Sequence, residues 1–157
     1  MIHLHIPSVP LSVNHLYVRT KGGGRALSAA GKKYKAETKT HLTRTYPNEL
    51  RQLKTNVPWM LFAHMTFADE SLLLNKGYPT STENRYKKFD VSNRVKLLED
   101  ALAEATAVDD SHHWTVIARK SVGKEDSTHL WLWNLNDESN NAITNYLDTL
   151  LSIVEDE

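Results

Sequence analysis

Apolar positions recur every second residue at the start of the chain. Ile2, Leu4 and Ile6 alternate with His3 and His5 before Pro7, the period of a half-buried strand. From Val57 to Ala68 the residues are mostly apolar and partly alternating. Trp59, Leu61, Ala63, Met65 and Phe67 stand against Met60, Phe62, His64 and Thr66, which predicts a long central strand with Pro58 at its beginning or edge. Two further strand patterns, His113–Val122 and Thr128–Leu135, flank Gly123-Lys124-Glu125-Asp126-Ser127, which reads as a hairpin turn.

Helical spacing governs other stretches. Ser28 suits the N-cap of a helix from about Ala29 to Thr45, stopped by Pro47-Asn48, with Asn48 opening a short second piece through Lys54. Ser92 can cap a helix through roughly Ala105, on which Val95, Leu98, Ala101, Leu102 and Ala105 fall at core spacing. Ile143, Leu147, Leu150, Leu151 and Val154 form an apolar stripe on a closing helix, about Glu138–Glu155. Asp69–Phe89 has no clear period and is turn-rich, and a connection of that length is usually functional. The order β-α-β-α-β-β-α predicts one α+β domain over residues 1–157. Its sheet is mixed or antiparallel with helices packed on it, and residues 136–157 form a C-terminal helical extension.

Composition narrows the class. With 157 residues, 40% of them hydrophobic, the chain suffices for one real core. Cysteine is absent, so disulfides, thiol catalysis and Cys-ligated zinc are excluded, and a reducing cytoplasm is a compatible location. No apolar run approaches the ~18 residues of a spanning helix, and the polar start lacks the apolar core of a signal peptide. The expectation is a cytoplasmic protein with no membrane partner.

The net charge of zero conceals a division. Between His15 and Lys54 ten cations (Arg19, Lys21, Arg25, Lys32, Lys33, Lys35, Lys39, Arg44, Arg51 and Lys54) oppose only Glu37 and Glu49. From Leu97 onward, thirteen acids oppose Arg119, Lys120 and Lys124. A basic half can follow a nucleic-acid backbone and an acidic half can carry metal ligands. Ordinary solvated faces would give the same counts. Lys21-Gly22-Gly23-Gly24-Arg25 suits a hairpin tip or a flexible loop. Without GxxxxGK[ST], or GxGxxG opening a helix, no nucleotide cofactor is indicated.

The chemistry concentrates between Lys87 and Ser111. Asp90 stands just before the helix that starts near Ser92, Lys96 lies on it, and Asp109-Asp110 follow it. If the chain doubles back, these carboxylates and the lysine form a hard-oxygen pocket of the kind that holds Mg²⁺ against a phosphate. The plainer alternative makes Asp90 a helix cap, Asp109-Asp110 a turn, and Lys96 a surface partner of Asp100. Glu99 and Asp100 rank second as ligands. His112-His113 lacks the spacing of a zinc hydrolase, and no serine sits in a GxSxG setting. Trp131 and Trp133 alternate on one face of the last strand, as base-stacking platforms or, more commonly, as core or interface anchors.

Taken together, Asp90-x-Ser92-Asn93-x-x-Lys96, Glu99-Asp100-Ala101-Leu102 and Asp109-Asp110-Ser111 resemble the RusA-type Holliday-junction resolvases, crossover-junction endodeoxyribonucleases common in phages and prophages. Pro10-Leu-Ser12-Val-Asn14-His-Leu-Tyr17, Gly24-Arg25 and Ser28-Ala-Ala-Gly31-Lys-Lys-Tyr34-Lys35 are similar to that family's N-terminal motifs. The resemblance spans roughly Leu4 to Val122. It implies a homodimer with two metal-dependent sites, each nicking one of two opposed strands of a four-way DNA junction. By position, Asp90 and Asp110 would bind Mg²⁺ (or Mn²⁺ in its place), with Asp109 supporting or sharing that role. Lys96 would be the essential lysine, and Asn93 would orient the first helical turn, with Asp100 in support. Asn14, Arg19, Lys21, Arg25, Lys32, Lys33 and Lys35 would grip the junction. One departure stands out: Ser92 occupies the position of the family's second aspartate and replaces a charged ligand by a neutral hydroxyl. This leaves two readings, an active nuclease or a weakened junction-binding homologue.

Overall fold

The computed structural model describes residues 1–12, 17–69, 92–106, 108–137 and 145, with the side chains of Arg25, Ser92 and Asn93 outside that description. In chain order these residues form β1 (Ile2–Ile6), β2 (Tyr17–Arg19), β3 (Arg25–Leu27), α1 (Ala29–Thr45) and α2 (Pro47–Leu50). They continue as β4 (Trp59–Phe67), α3 (Ser92–Thr106), a 3-10 turn (Asp110–His112), β5 (His113–Val122) and β6 (Ser127–Asn134). The fold is α+β, as the periodicities predict. A four-stranded sheet runs β1-β6-β4-β5, and β2-β3 is a separate antiparallel pair. Among the described residues no helix is long and apolar enough to cross a membrane.

β4 is the hinge of the topology. It pairs antiparallel with β6 and parallel with β5, so the sheet is mixed. Parallel neighbours need a crossover, and α3 lies in the connection from β4 to β5. The core face gathers Leu4 and Ile6, Leu61, Met65 and Phe67, and Leu130 and Leu132. Against them pack Leu42 of α1 and Leu98 and Leu102 of α3. Each side chain of that size contributes about 1.5–3 kcal/mol on full burial, enough to hold helices whose threonines and glycine weaken their own propensity.

α1 starts where the sequence predicts: the Ser28 hydroxyl accepts the Gly31 N–H at 3.1 Å. Gly31, Tyr34, Thr38 and Leu42 form its buried stripe. Tyr34 meets Leu97 and Ala101 of α3 in a second small cluster. α2 differs from the expectation. Pro47 is its first residue, because a fixed φ and a missing N–H suit the first helical position, and Asn48 is inside it rather than its cap. The glycine-rich stretch is the tip of the β2-β3 hairpin, with Gly23 at φ 81°. The turn-rich segment and the closing helix, about Glu138–Glu155, fall almost wholly outside the described residues.

The predicted hairpin between the last two strands is corrected. β5 and β6 do not pair with each other, since β4 lies between them. Four residues step across the end of β4, where the Gly123 N–H donates to the Phe67 carbonyl at 3.0 Å. The Ala68 N–H donates to Asp126 Oδ1 at 2.8 Å. Short connections usually join neighbours, which is why the sequence suggests a hairpin. The step works because residue 123 has no side chain: a Cβ there would lie 2.3 Å from Thr66 Cγ2. Gly123→Ala is expected to lower stability by about 1–3 kcal/mol in urea unfolding, the cost of overpacking. Adding Thr66→Ser, which removes the opposing methyl, should recover most of the loss; equal loss in both variants would place the strain elsewhere.

Candidate active site

The site is built on the exposed side of α3 and on the turn that leads into β5. Arg94 anchors the helix from behind. Its guanidinium lies 5.2 Å from the centre of the Phe67 ring at the end of β4 and donates through Nη1 to the Pro10 carbonyl. Burial lowers its pKa below the ordinary guanidinium value, partly offset by Asp126 and Tyr34. Lys35 of α1 reaches Glu104 of α3 at 2.7 Å with its side chain only 17% exposed. These contacts fix where Lys96 stands.

Lys96 Nζ donates to Asp110 Oδ2 and lies 3.4 Å from Asp100 Oδ1. Its side chain is 49% exposed, so the ammonium sits at the lip of the site and faces solvent. Next to it Asp109 caps the 3-10 turn: its Oδ1 accepts both the N–H and the hydroxyl of Ser111. The structure therefore brings together Lys96, Asp100 and Asp110, with Asp109 adjacent in the chain. Three carboxylates against one ammonium leave an excess of negative charge, which a divalent cation would relieve.

The ionisation states follow from these contacts. The hydrogen bond to Asp110 raises the Lys96 pKa above its ordinary 10.5, with Asp100 adding to the effect and burial opposing it. The Ser111 hydroxyl and N–H lower the Asp109 pKa below its ordinary 3.8. For a raised cation the stabilisation is complete below the unfolded pKa and disappears as pH climbs through the folded one. For a lowered carboxylate it is complete above the unfolded pKa and disappears as pH falls through the folded one. Both residues therefore keep their charges across the whole neutral range.

Behind this charged surface lies a buried pair that the sequence did not single out. His113 Nδ1 is 2.8 Å from Glu99 Oε1, with the imidazole 0% and the carboxylate 11% exposed. Glu99 ranks only second among the sequence candidates, and His113 reads as the opening of a strand or as a neighbour of the metal site. One signal was available: Glu99 falls on the helical stripe of Val95 and Leu102, where a solvated acid would not be placed.

The remaining candidates divide. Arg19 and Lys21 are exposed at the β2-β3 hairpin, and Lys32 and Lys33 are exposed on α1, with Lys33 3.8 Å from Glu37. Lys35 bridges α1 to α3. Asp90 and Asn14 lie outside the described residues. Ser92 and Asn93 occupy the first turn of α3, so Ser92 is within the helix rather than its cap. Among the described residues no three His, Asp or Glu side chains converge to hold a metal. Trp131 stacks on His3 (centroids 4.9 Å) and Phe62 (5.3 Å), on the sheet face opposite the helices.

Glu99→Ala would leave both imidazole nitrogens of His113 buried without partners among the described residues, and should cost about 1–3 kcal/mol of unfolding free energy. An unchanged melting temperature would mean that the pair is solvated.

A family model described as Endodeoxyribonuclease RusA matches residues 7–130, a span that contains Lys96, Asp109 and Asp110. No curated protein matches the chain. The chain belongs to the RusA family, endodeoxyribonucleases that act on Holliday junctions.

Proposed function

We propose that the protein is a Mg²⁺-dependent, structure-selective endonuclease that resolves four-way DNA junctions in recombination and repair. Mn²⁺ would be a workable substitute. The contact that carries this reading is Lys96 held by Asp110 and Asp100 beside the locked carboxylate of Asp109, in a chain of the RusA family. We take the protein as cytoplasmic, with residues 136–157 an extension of a single domain.

The donor set suits a hard cation. Lys96 and Ser111 engage one oxygen each of Asp110 and Asp109, which leaves the second oxygen of each for a ligand bond. Asp90, and Ser92 through its hydroxyl, would complete the set. A divalent ion supplies charge neutralisation at the scissile phosphate and a water of lowered pKa. The protein's own residues do the rest. Lys96 is cationic throughout the neutral range, and its exposed ammonium can take a non-bridging phosphate oxygen as charge builds there. Asp109, pinned by Ser111, keeps its charge without swinging toward Lys96. Water adds to phosphorus, the P–O3′ bond breaks, and the products are a 3′-hydroxyl and a 5′-phosphate.

Arg19, Lys21, Arg25, Lys32 and Lys33 would grip the junction backbone. Neutralising several phosphates in this way makes affinity fall steeply with salt. Paired cutting needs two sites, and β5 supports a homodimer. Among the described residues it pairs only with β4, so its other edge is open. It exposes Trp114 (75%), Val116 (41%) and Ile117 (40%) along that edge strand. An apolar, unpaired edge of ten residues invites a second copy of the same strand.

Two experiments test this reading. A synthetic four-way junction with Mg²⁺ should be cut by the wild type. Asp90→Asn, Asp110→Asn and Lys96→Ala should each cut at least ~100-fold more slowly while binding the junction. Binding without cutting by the wild type would favour the weakened homologue that Ser92 suggests, and full activity of Lys96→Ala would make that lysine a surface ion-pair residue. Separately, Trp114→Lys with Val116→Lys should convert the dimer to a monomer in light scattering; a dimer that survives both lies on another surface.

A further inference from the structure

Two contacts tie α3 to the start of β5, and they stand in register. Lys96 meets Asp110, and three residues later on each element Glu99 meets His113. Each pair is fourteen residues apart in sequence. The outer contact is half exposed and the inner one is closed to solvent. We infer that Glu99 and His113 are positioning residues: their buried bond sets the turn bearing Asp109 and Asp110 against Lys96. The inference rests on the nuclease reading of that site.

Three features support it. First, the strand ladder does not do this work by itself. Trp59 is opposite His113 but Met60 is opposite Thr115, so the β4-β5 register slips at the point where β5 begins. Such irregularities re-aim the residues beside them, and here a side-chain bond supplies the missing constraint. Second, stability alone does not account for the pair. Among the described residues His113 Nε2 is buried with no hydrogen-bond partner, and a leucine-like residue would fill the space without that penalty. Third, the imidazole is fully buried, so it does not meet substrate. Its effect must pass through the backbone of Ser111 and His112, the two residues that separate it from Asp110.

The test uses the full chain with both polar groups replaced together, Glu99→Met with His113→Leu, and the conservative variant Glu99→Gln, whose amide oxygen can still accept from Nδ1. The double variant should melt at or above the wild-type temperature and bind the junction equally well in EDTA. It should nevertheless cut about 10–100-fold more slowly, with a raised Mg²⁺ midpoint, the scale of a misplacement near 1 Å. Glu99→Gln should stay within about threefold of wild type, since positioning needs the bond and not the charge. In a crystal structure of the double variant, Lys96 Nζ should no longer reach Asp110. Wild-type cutting by the double variant would overturn the inference. So would a loss that merely follows melting temperature and junction affinity, or a Glu99→Gln variant as slow as the double one. If the wild type does not cut, the nuclease reading fails by itself. The crystal structure then decides, and an intact Lys96–Asp110 contact overturns the positioning role.

Discussion

A lysine can hold two carboxylates at one place only if the elements carrying all three are themselves fixed. Here the lysine and Asp100 ride on one helix and Asp110 on a three-residue turn, too short to be stable by itself. The turn is fixed at its front by Asp109, which caps it, and at its back by His113, which reaches Glu99 inside the protein. The helix is fixed by Arg94 under its first turn, by Leu98 and Leu102 in the core, and by Glu104 to Lys35. Removing any of these would leave the charges present but free to separate.

The sheet provides the platform for that arrangement. Because β5 is parallel to β4, the chain must travel back along the sheet between them, and α3 occupies that return path. The turn with Asp109 and Asp110 therefore falls at the beginning of β5, on the side where α3 packs. The opposite face is of another kind. His5, His129 and His64 lie in register across three strands, next to Trp131, Phe62 and His3. Burial, with the neighbouring imidazoles of His5, His3 and His64, lowers the pKa of His129.

Much of the fold could be read from local pattern, because each element carries its own signal. Alternation in Ile2–Ile6, the Ser28 cap, and the apolar run of Trp59–Phe67 each depend on residues close in sequence. The placement of β4 between β5 and β6 could not be read, since it depends on Gly123 passing close to Thr66, a contact between residues far apart in the chain. The site divides in the same way. Lys96, Asp109 and Asp110 were visible as charges at an unusual spacing and as part of a familiar set. His113 and Arg94 were not, because burial decides their role and a single histidine or arginine does not announce burial. Lys35 counts as one more cation in a basic stretch until the structure places it against Glu104.

The proposed chemistry depends above all on residues before and after α3 sharing one divalent ion. The most direct measurement is anomalous diffraction from crystals of the wild-type protein soaked in Mn²⁺. A shared site predicts a single strong peak about 2 Å from a carboxylate oxygen of Asp110 and from one of Asp90, beside the Lys96 ammonium. Contradiction would come from well-ordered Asp90 and Asp110 side chains that point into separate regions of solvent with no peak between them.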